Sequence, residues 1–177
     1  MSLRTSRCRH ERGTSILEVL VAASILSVAA AGLLATFSFS VVQNQTRGEA
    51  ATRTTDFARD KMEQLLALSF NDGASNTTVY PVTAAGGTGL GGTMAASATV
   101  GGVTPTAPVA SYVDYLDHTG ALLANATSAF YIRQWTISTD ATATMKTITV
   151  RTTAKSLDGG WGDMPATTLV CRKTTLQ

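Results

Sequence analysis

The most prominent pattern in the chain is a long apolar run near its N-terminus. Residues 19–42 contain no charged side chain, and these 24 residues exceed the about 20 that a helix needs to cross a membrane. The polar side chains within the run are all hydroxyls, which bond back to helix carbonyls and are tolerated in lipid. They are Ser24, Ser27, Thr36, Ser38 and Ser40. The pattern predicts a membrane-spanning helix.

Helical periodicity continues beyond this run, but residues 43–68 are amphipathic. Their apolar stripe consists of Ala51, Ala58, Met62, Leu65 and Leu66. The charged residues of the same stretch are expected to face water, namely Arg47, Arg53, Arg59, Asp60 and Lys61. A stop signal follows at Asn71-Asp72-Gly73. The two stretches together predict one helix from about residue 15 to about residue 68, which is about 80 Å long.

Residues 71–111 have a different composition, rich in Gly, Ala, Thr and Ser and without charge after Asp72. Such a composition is typical of a loosely structured surface loop. Gly87, Gly89 and Gly92 have the spacing of a dinucleotide-binding loop. No apolar strand precedes these glycines and no helix follows them, so we do not expect them to bind phosphate.

Strand patterns occupy the remainder of the chain, at residues 111–116, 130–137, 146–152 and 167–172. Tyr131, Arg133, Trp135 and Ile137 would share one face of the second strand, and Ile148 and Val150 would point inward from the third. An antiparallel sheet of three or four strands, packed on the second half of the helix, would bury Met62 and Leu65 with Trp135 and Ile148. The predicted fold class is therefore α+β, a long N-terminal helix packed on a small antiparallel sheet.

Charge is scarce and unevenly placed. Charged residues make up 15% of the chain, against the usual quarter or so for a soluble domain. Residues 1–13 hold four arginines and one glutamate, a net charge of +3, so the remainder is close to neutral and does not suggest a nucleic-acid partner. Because the arginines precede the apolar run, we expect a cytoplasmic N-terminus and an exported C-terminal part.

Glu18 stands at the start of the apolar run and calls for an explanation. An ionised carboxylate within a spanning helix costs about 2.5–3.5 kcal/mol. An ordinary secretory signal with a cleavage site at Ala29-Ala30-Ala31, or a plain membrane anchor, gains nothing from this residue. The apolar pattern also continues past Ala31. We therefore favour a functional role for Glu18.

The residues around Glu18 resemble the class III leader of type IV prepilins and pseudopilins. The matching stretch is Arg12-Gly13 followed by Thr14-Ser15-Ile16-Leu17-Glu18-Val19-Leu20-Val21-Ala22. The resemblance implies cleavage after Gly13, N-methylation of the new N-terminal residue Thr14, and a glutamate at the fifth mature position, which is Glu18. The chain departs from the family at Thr14-Ser15, where phenylalanine and threonine are usual.

An assembly role follows from this resemblance. Cleavage would create a charged amine on Thr14 inside an apolar bundle, and the carboxylate of a neighbouring subunit's Glu18 would neutralise it, since a buried pair costs less than either charge alone. The later stretches 58–65, 112–115 and 131–137 resemble those of the minor pilins called PilV-like pilus modification proteins. The expected parts of the chain are a cleaved leader (1–13), a transmembrane or filament-core helix (14–43), its amphipathic continuation (44–70), a variable loop (71–111) and a β head (112–177).

Few side chains suit catalysis or metal binding. The two histidines are His10 and His118, and the two cysteines are Cys8 and Cys171; His10 and Cys8 lie in the leader. A catalytic triad would depend on His118 alone, and the clear zinc ligands are too few. Asp114 and Asp117 could be paired acids, or they could belong to a solvated turn. We expect no enzyme, no cofactor and no metal.

The sequence therefore predicts a structural subunit of a type IV pilus, a minor pilin of pilus assembly or modification. Its expected partners are a prepilin peptidase, major and minor pilin subunits, the inner-membrane assembly machinery, and membrane lipid before assembly. Its expected location is the inner membrane, as a single-pass protein with a periplasmic head, and then the extracellular pilus. One alternative is a pseudopilin of a type II secretion system. Another is an exported or membrane-anchored binding domain with an ordinary signal sequence.

Overall fold

A computed structural model describes residues 15–156, 158–162 and 164–175. The chain divides into two compact units, Met1–Asn44 and Gln45–Gln177, which we call the N-terminal unit and the C-terminal unit. Helix α1, Ile16–Ala67, contributes residues to both. The helix predicted over about residues 15–68 is thus confirmed to within one residue at each end.

The described part of the N-terminal unit is helical from Ile16 onward, and its apolar side chains are exposed. Hydroxyls on this helix donate to carbonyls three or four residues earlier, as expected for polar residues in an apolar helix. These donors are Ser24, Ser27, Thr36 and Ser38. The helix is long and apolar enough to cross a membrane.

The C-terminal unit contains a six-stranded antiparallel sheet. The strands are β1 (Thr99–Gly101), β2 (Val113–Leu116), β3 (Leu122–Leu123), β4 (Tyr131–Thr139), β5 (Met145–Ala154) and β6 (Ala166–Thr174). Their order is β3-β2-β4-β5-β6, and β1 pairs with β4 beyond the end of β2. The four predicted strands are present; the two additional strands have three and two residues, too short to show a period-2 pattern.

The core of this unit lies between the second half of α1 and one face of the sheet, which confirms the α+β fold class. From the helix it takes Ala58, Met62 and Leu65. From the central strands it takes Trp135, Ile137, Ile148 and Val150, each fully buried. The predicted burial of Met62 and Leu65 with Trp135 and Ile148 in one core is confirmed, because the helical and strand periodicities place these side chains on facing surfaces.

Residues 71–111 differ from the expected loosely structured loop. They have little regular structure, but Leu90 and Met94 are buried in the core described above, and β1 joins the sheet. The backbone carbonyl of Asp72 accepts hydrogen bonds from the amides of Leu90 (2.7 Å) and Gly92 (2.8 Å). A Cβ on Gly89, where φ is +50°, would lie 2.1 Å from the Asp72 carboxylate. The glycines here therefore permit close backbone packing as well as turns.

Candidate functional site

The first candidate site is the start of helix α1. Glu18 lies in the first turn, on a surface where the neighbouring Ile16 and Leu17 are 85% and 71% exposed. Gly13 and Thr14, the predicted cleavage and methylation residues, lie outside the described residues. Glu18 is the one charged side chain between Ser15 and Asn44. Chemically, this carboxylate can form an ion pair with a cation on a surface that otherwise carries no charge.

The apolar side chains of α1 within the N-terminal unit are exposed, and no other element in the described part of that unit covers them. They include Val19, Leu20, Ile25, Leu26, Val28, Leu33, Leu34, Phe37, Phe39 and Val42. Monomeric soluble proteins rarely leave so large an apolar surface open to water. Such a helix is compatible with a membrane anchor.

A second group of functional interest is a buried ionic group in the C-terminal unit, which we call the charge cluster: Lys61, Asp114 and Arg133. The Asp114 Oδ2 atom accepts from Lys61 Nζ at 2.8 Å and from Arg133 Nη2 at 2.8 Å and Nε at 3.0 Å. The side chains of Lys61 and Asp114 have no exposed surface, and that of Arg133 is 5% exposed. The charge cluster therefore joins α1 to strands β2 and β4.

Two further contacts hold the cations of the charge cluster. Lys61 Nζ donates to the carbonyl of Thr77 and lies 3.9 Å from the centre of the Trp135 ring. Arg133 Nη1 donates to the carbonyl of Phe57 (3.1 Å) and to the Asp60 carboxylate (2.9 Å). These contacts compensate in part for the loss of water around both cations.

Burial determines the protonation behaviour of Lys61. Removal of water from the ammonium group lowers the pKa of Lys61 from 10.5 to about 8, and the nearby Asp114 carboxylate only partly opposes this change. The lowered pKa means that burial favours the neutral form of the Lys61 side chain. Between pH 8 and 10.5 the unfolded chain holds a proton that the folded chain has lost.

We expect the free energy of unfolding to rise between pH 8 and 10.5, because stability increases with pH wherever the unfolded state binds more protons. The pKa difference at Lys61 corresponds to a rise in the free energy of unfolding of roughly 3 kcal/mol. The rise begins near pH 8 and is complete above pH 10.5. Urea unfolding followed by circular dichroism at pH 7.5 to 10.5 measures the rise. A Lys61→Met variant should show a flatter profile, and parallel profiles for the two proteins would contradict this account.

The charge cluster corrects two sequence-based expectations. Lys61 was predicted to face water, yet it is fully buried between Ala58 and Leu65 on the core face of α1. Its spacing from those residues, three and four positions, was the available signal. Asp114 neither pairs with another acid nor lies in a solvated turn; it alternates inward with Tyr112 and Leu116. Asp117 does lie in a turn, where its carboxylate accepts from the Thr119 and Ala121 amides.

Lys146 was also missed as a structural cation. Its side chain is buried at the start of β5, and Nζ donates to the carbonyls of Phe70 (2.7 Å), Leu90 (2.9 Å) and Gly92 (2.6 Å). The lysine therefore fastens both ends of the segment 70–92 to the sheet. Sequence periodicity places Lys146 on the inward face with Ile148, but it does not show which carbonyls a buried ammonium will find.

The other residues considered for chemistry are dispersed. His118 is exposed in the turn after β2, and Cys171 is a partly exposed free thiol on β6. Cys8 and His10 lie outside the described residues. Within residues 15–156, 158–162 and 164–175, no three His, Cys, Asp or Glu side chains lie close enough to hold a metal ion.

Comparisons of the chain with known protein families, with curated proteins and with solved structures gave no match.

Proposed function

We propose that this chain is a type IV pilin-like subunit, and specifically a minor pilin that takes part in pilus assembly or modification. The observation that carries the proposal is the order of residues 12–22, in which Gly13 is followed at the fifth position by Glu18 and then by an uncharged helix. The exposed apolar surface of that helix supports the proposal, because assembly would cover it.

In this mechanism the chain is first a single-pass inner-membrane protein with its C-terminal unit in the periplasm. A prepilin peptidase cuts after Gly13, and the new amine of Thr14 becomes methylated. The inner-membrane assembly machinery then moves the helix from lipid into a bundle with major and minor pilin subunits, giving the extracellular pilus. The Glu18 carboxylate pairs with the Thr14 amine of a neighbouring subunit, and the pair determines the axial register.

Two other functions are compatible with part of these observations. A pseudopilin of a type II secretion system would have the same leader and helix, and would be found with a secretion apparatus instead of a surface pilus. An exported or anchored binding domain would have an ordinary signal sequence. Helix α1 passes without interruption through Ala29–Ala31, where an ordinary signal would be cut.

The mature N-terminus tests the proposal. The measurement is intact-mass and N-terminal analysis of the protein purified from the membranes of its own host. A chain that begins at Thr14, with or without a methyl group, supports prepilin processing. A chain that begins near Gly32, or that retains residues 1–13, overturns the pilin proposal and supports the exported-domain alternative.

Replacement of Glu18 by alanine should leave cleavage after Gly13 intact but greatly reduce incorporation into filaments. The expected reason is that each neighbouring Thr14 amine would lie in an apolar bundle without a counter-charge, which costs several kcal/mol. The measurement is the amount of this subunit in sheared surface filaments relative to the amount in membranes. Ser27→Ala, on the same helix, is the control and should incorporate normally. Normal incorporation of the Glu18→Ala protein with unchanged subunit register would refute the pairing.

A further inference from the structure

Beside the charge cluster, the surface of the C-terminal unit contains an open groove of about 390 Å³. It is lined by Asp60, Gln64, Tyr80, Gly120, Ala121, Leu122 and Arg133. The volume is within the range of ordinary small-molecule sites. Four separate segments form the groove: helix α1, the bend around Tyr80, the β2–β3 hairpin and strand β4.

Hydrogen bonds hold the Asp60 carboxylate, which lines the groove, in one orientation. Asp60 Oδ2 accepts from Gln64 Nε2 at 3.0 Å and from Arg133 Nη1 at 2.9 Å. Arg133 is itself fixed by Asp114 and by the carbonyl of Phe57. Both donors use the same oxygen, so Asp60 Oδ1 remains an acceptor for a ligand on a side chain that is 56% exposed. A carboxylate held in this way loses little entropy when it binds a hydroxyl.

An aromatic side chain, that of Tyr80, also lines the groove. Tyr80 is 78% exposed, although burial of an aromatic side chain is normally favourable. Leu122 is half-buried, and Gly120 and Ala121 contribute backbone and a single methyl group. The groove therefore combines an exposed aromatic side chain with an ordered carboxylate and a carboxamide.

The charges around the groove cancel. Arg133 and Lys61 carry two positive charges, and Asp60 and Asp114 carry two negative charges, all joined by ion pairs. A charged ligand would have to break or compete with these pairs, whereas a neutral ligand would use the hydrogen-bonding positions that they leave open. The ligand indicated by this chemistry is uncharged, carries several hydroxyls, and has an apolar face that can stack on a ring.

We infer that the groove binds a neutral sugar residue of an oligosaccharide. One C–H face of the sugar ring stacks on Tyr80, a hydroxyl donates to Asp60 Oδ1, and the carboxamide of Gln64 accepts from or donates to a second hydroxyl. Arg133 positions the carboxylate and does not itself need to contact the sugar. The site belongs to the folded C-terminal unit and does not depend on assembly of the chain into a filament.

The test uses the purified full chain in a polyoxyethylene detergent, since sugar-based detergents would compete. Maltotriose, cellotriose, β-1,4-galactotriose and triacetylchitotriose are titrated up to about 20 mM, with trigalacturonate as the charged comparison, and binding is followed by saturation-transfer NMR. At least one neutral trisaccharide should bind, with the strongest transfer to the protons of one ring face. Trigalacturonate should bind at least about tenfold more weakly than the best neutral probe.

Three variants identify the groove as the site. Tyr80→Ala should weaken binding about tenfold, whereas Tyr80→Phe retains the ring and should bind as the wild type does. Phe130→Ala removes another exposed aromatic ring that does not line the groove, and it should have no effect. Lack of binding by every neutral probe, tightest binding of trigalacturonate, or unchanged affinity in Tyr80→Ala overturns the inference. None of these results bears on where the leader is cut, so failure here leaves the pilin proposal intact.

Discussion

Replacement of Asp114 by alanine is expected to lower the free energy of unfolding of the C-terminal unit by about 3–5 kcal/mol. The substitution would leave Lys61 and Arg133 as two buried cations with a single partly exposed carboxylate, Asp60, near them. Such a loss is a large fraction of the 5–15 kcal/mol by which a typical domain is stable. The measurement is urea unfolding of the purified chain followed by near-UV circular dichroism.

Asp56→Ala is the matched control for this substitution. Asp56 is an exposed carboxylate on the same helix, so its replacement should change the free energy of unfolding by no more than about 0.5 kcal/mol. A double variant that also replaces Lys61 by methionine should recover part of the stability, because it removes the buried cation that Asp114→Ala leaves without a carboxylate partner. A loss below about 1 kcal/mol in Asp114→Ala would mean that the charge cluster does not hold the helix on the sheet.

Replacement of Trp135 by alanine is expected to lower the free energy of unfolding by about 3–5 kcal/mol. Trp135 is the largest fully buried side chain, its ring centre lies 6.1 Å from that of Tyr112, and it supports the ammonium group of Lys61. Its removal would create a cavity at the centre of the helix–sheet interface and would also expose Lys61 to an empty space. Thermal unfolding by circular dichroism measures the loss.

The Trp135→Phe variant distinguishes the effect of lost packing from the effect of losing the indole nitrogen. The Nε1 atom of Trp135 has no hydrogen-bond partner among the described residues, so its removal should cost little beyond the lost volume. We expect Trp135→Phe to lose less than about half as much stability as Trp135→Ala. Equal losses in the two variants would indicate that the indole nitrogen, and not packing, accounts for the effect.

Helix α1 and the four longer strands were predictable because local periodicity is sufficient to define them. An uncharged run of 24 residues can form little except a helix in an apolar environment, and the alternation in residues 146–152 places Ile148 and Val150 on one face in any sheet. Glu18 was noticeable for the same reason, since a single charge in such a run stands out without knowledge of the fold. Strands β1 and β3 were missed because their pairing partners, not their own residues, make them strands.

The partners within the charge cluster and the lining of the groove could not be predicted from local periodicity. Lys61 and Asp60 are adjacent in sequence and belong to the same helix, yet Lys61 is buried and Asp60 is exposed. The helical spacing of Lys61 from Ala58 and Leu65 places it on the core face, but only the tertiary structure shows that Asp114 lies beside it. Arg133 then pairs with both carboxylates, those of Asp60 and Asp114. The groove likewise requires Tyr80 and the β2–β3 hairpin to reach the same side of α1.

The amino-acid order by itself therefore specifies the apolar helix, its single carboxylate, the candidate cleavage position and the main strands. These features depend on residues within a few turns or a few strand positions of one another. The burial of Lys61, Asp114 and Lys146, and the close packing of residues 71–92, arise only when distant segments meet. The physical reason is that a charge or a backbone amide can leave water only where a partner of opposite polarity is already held in place.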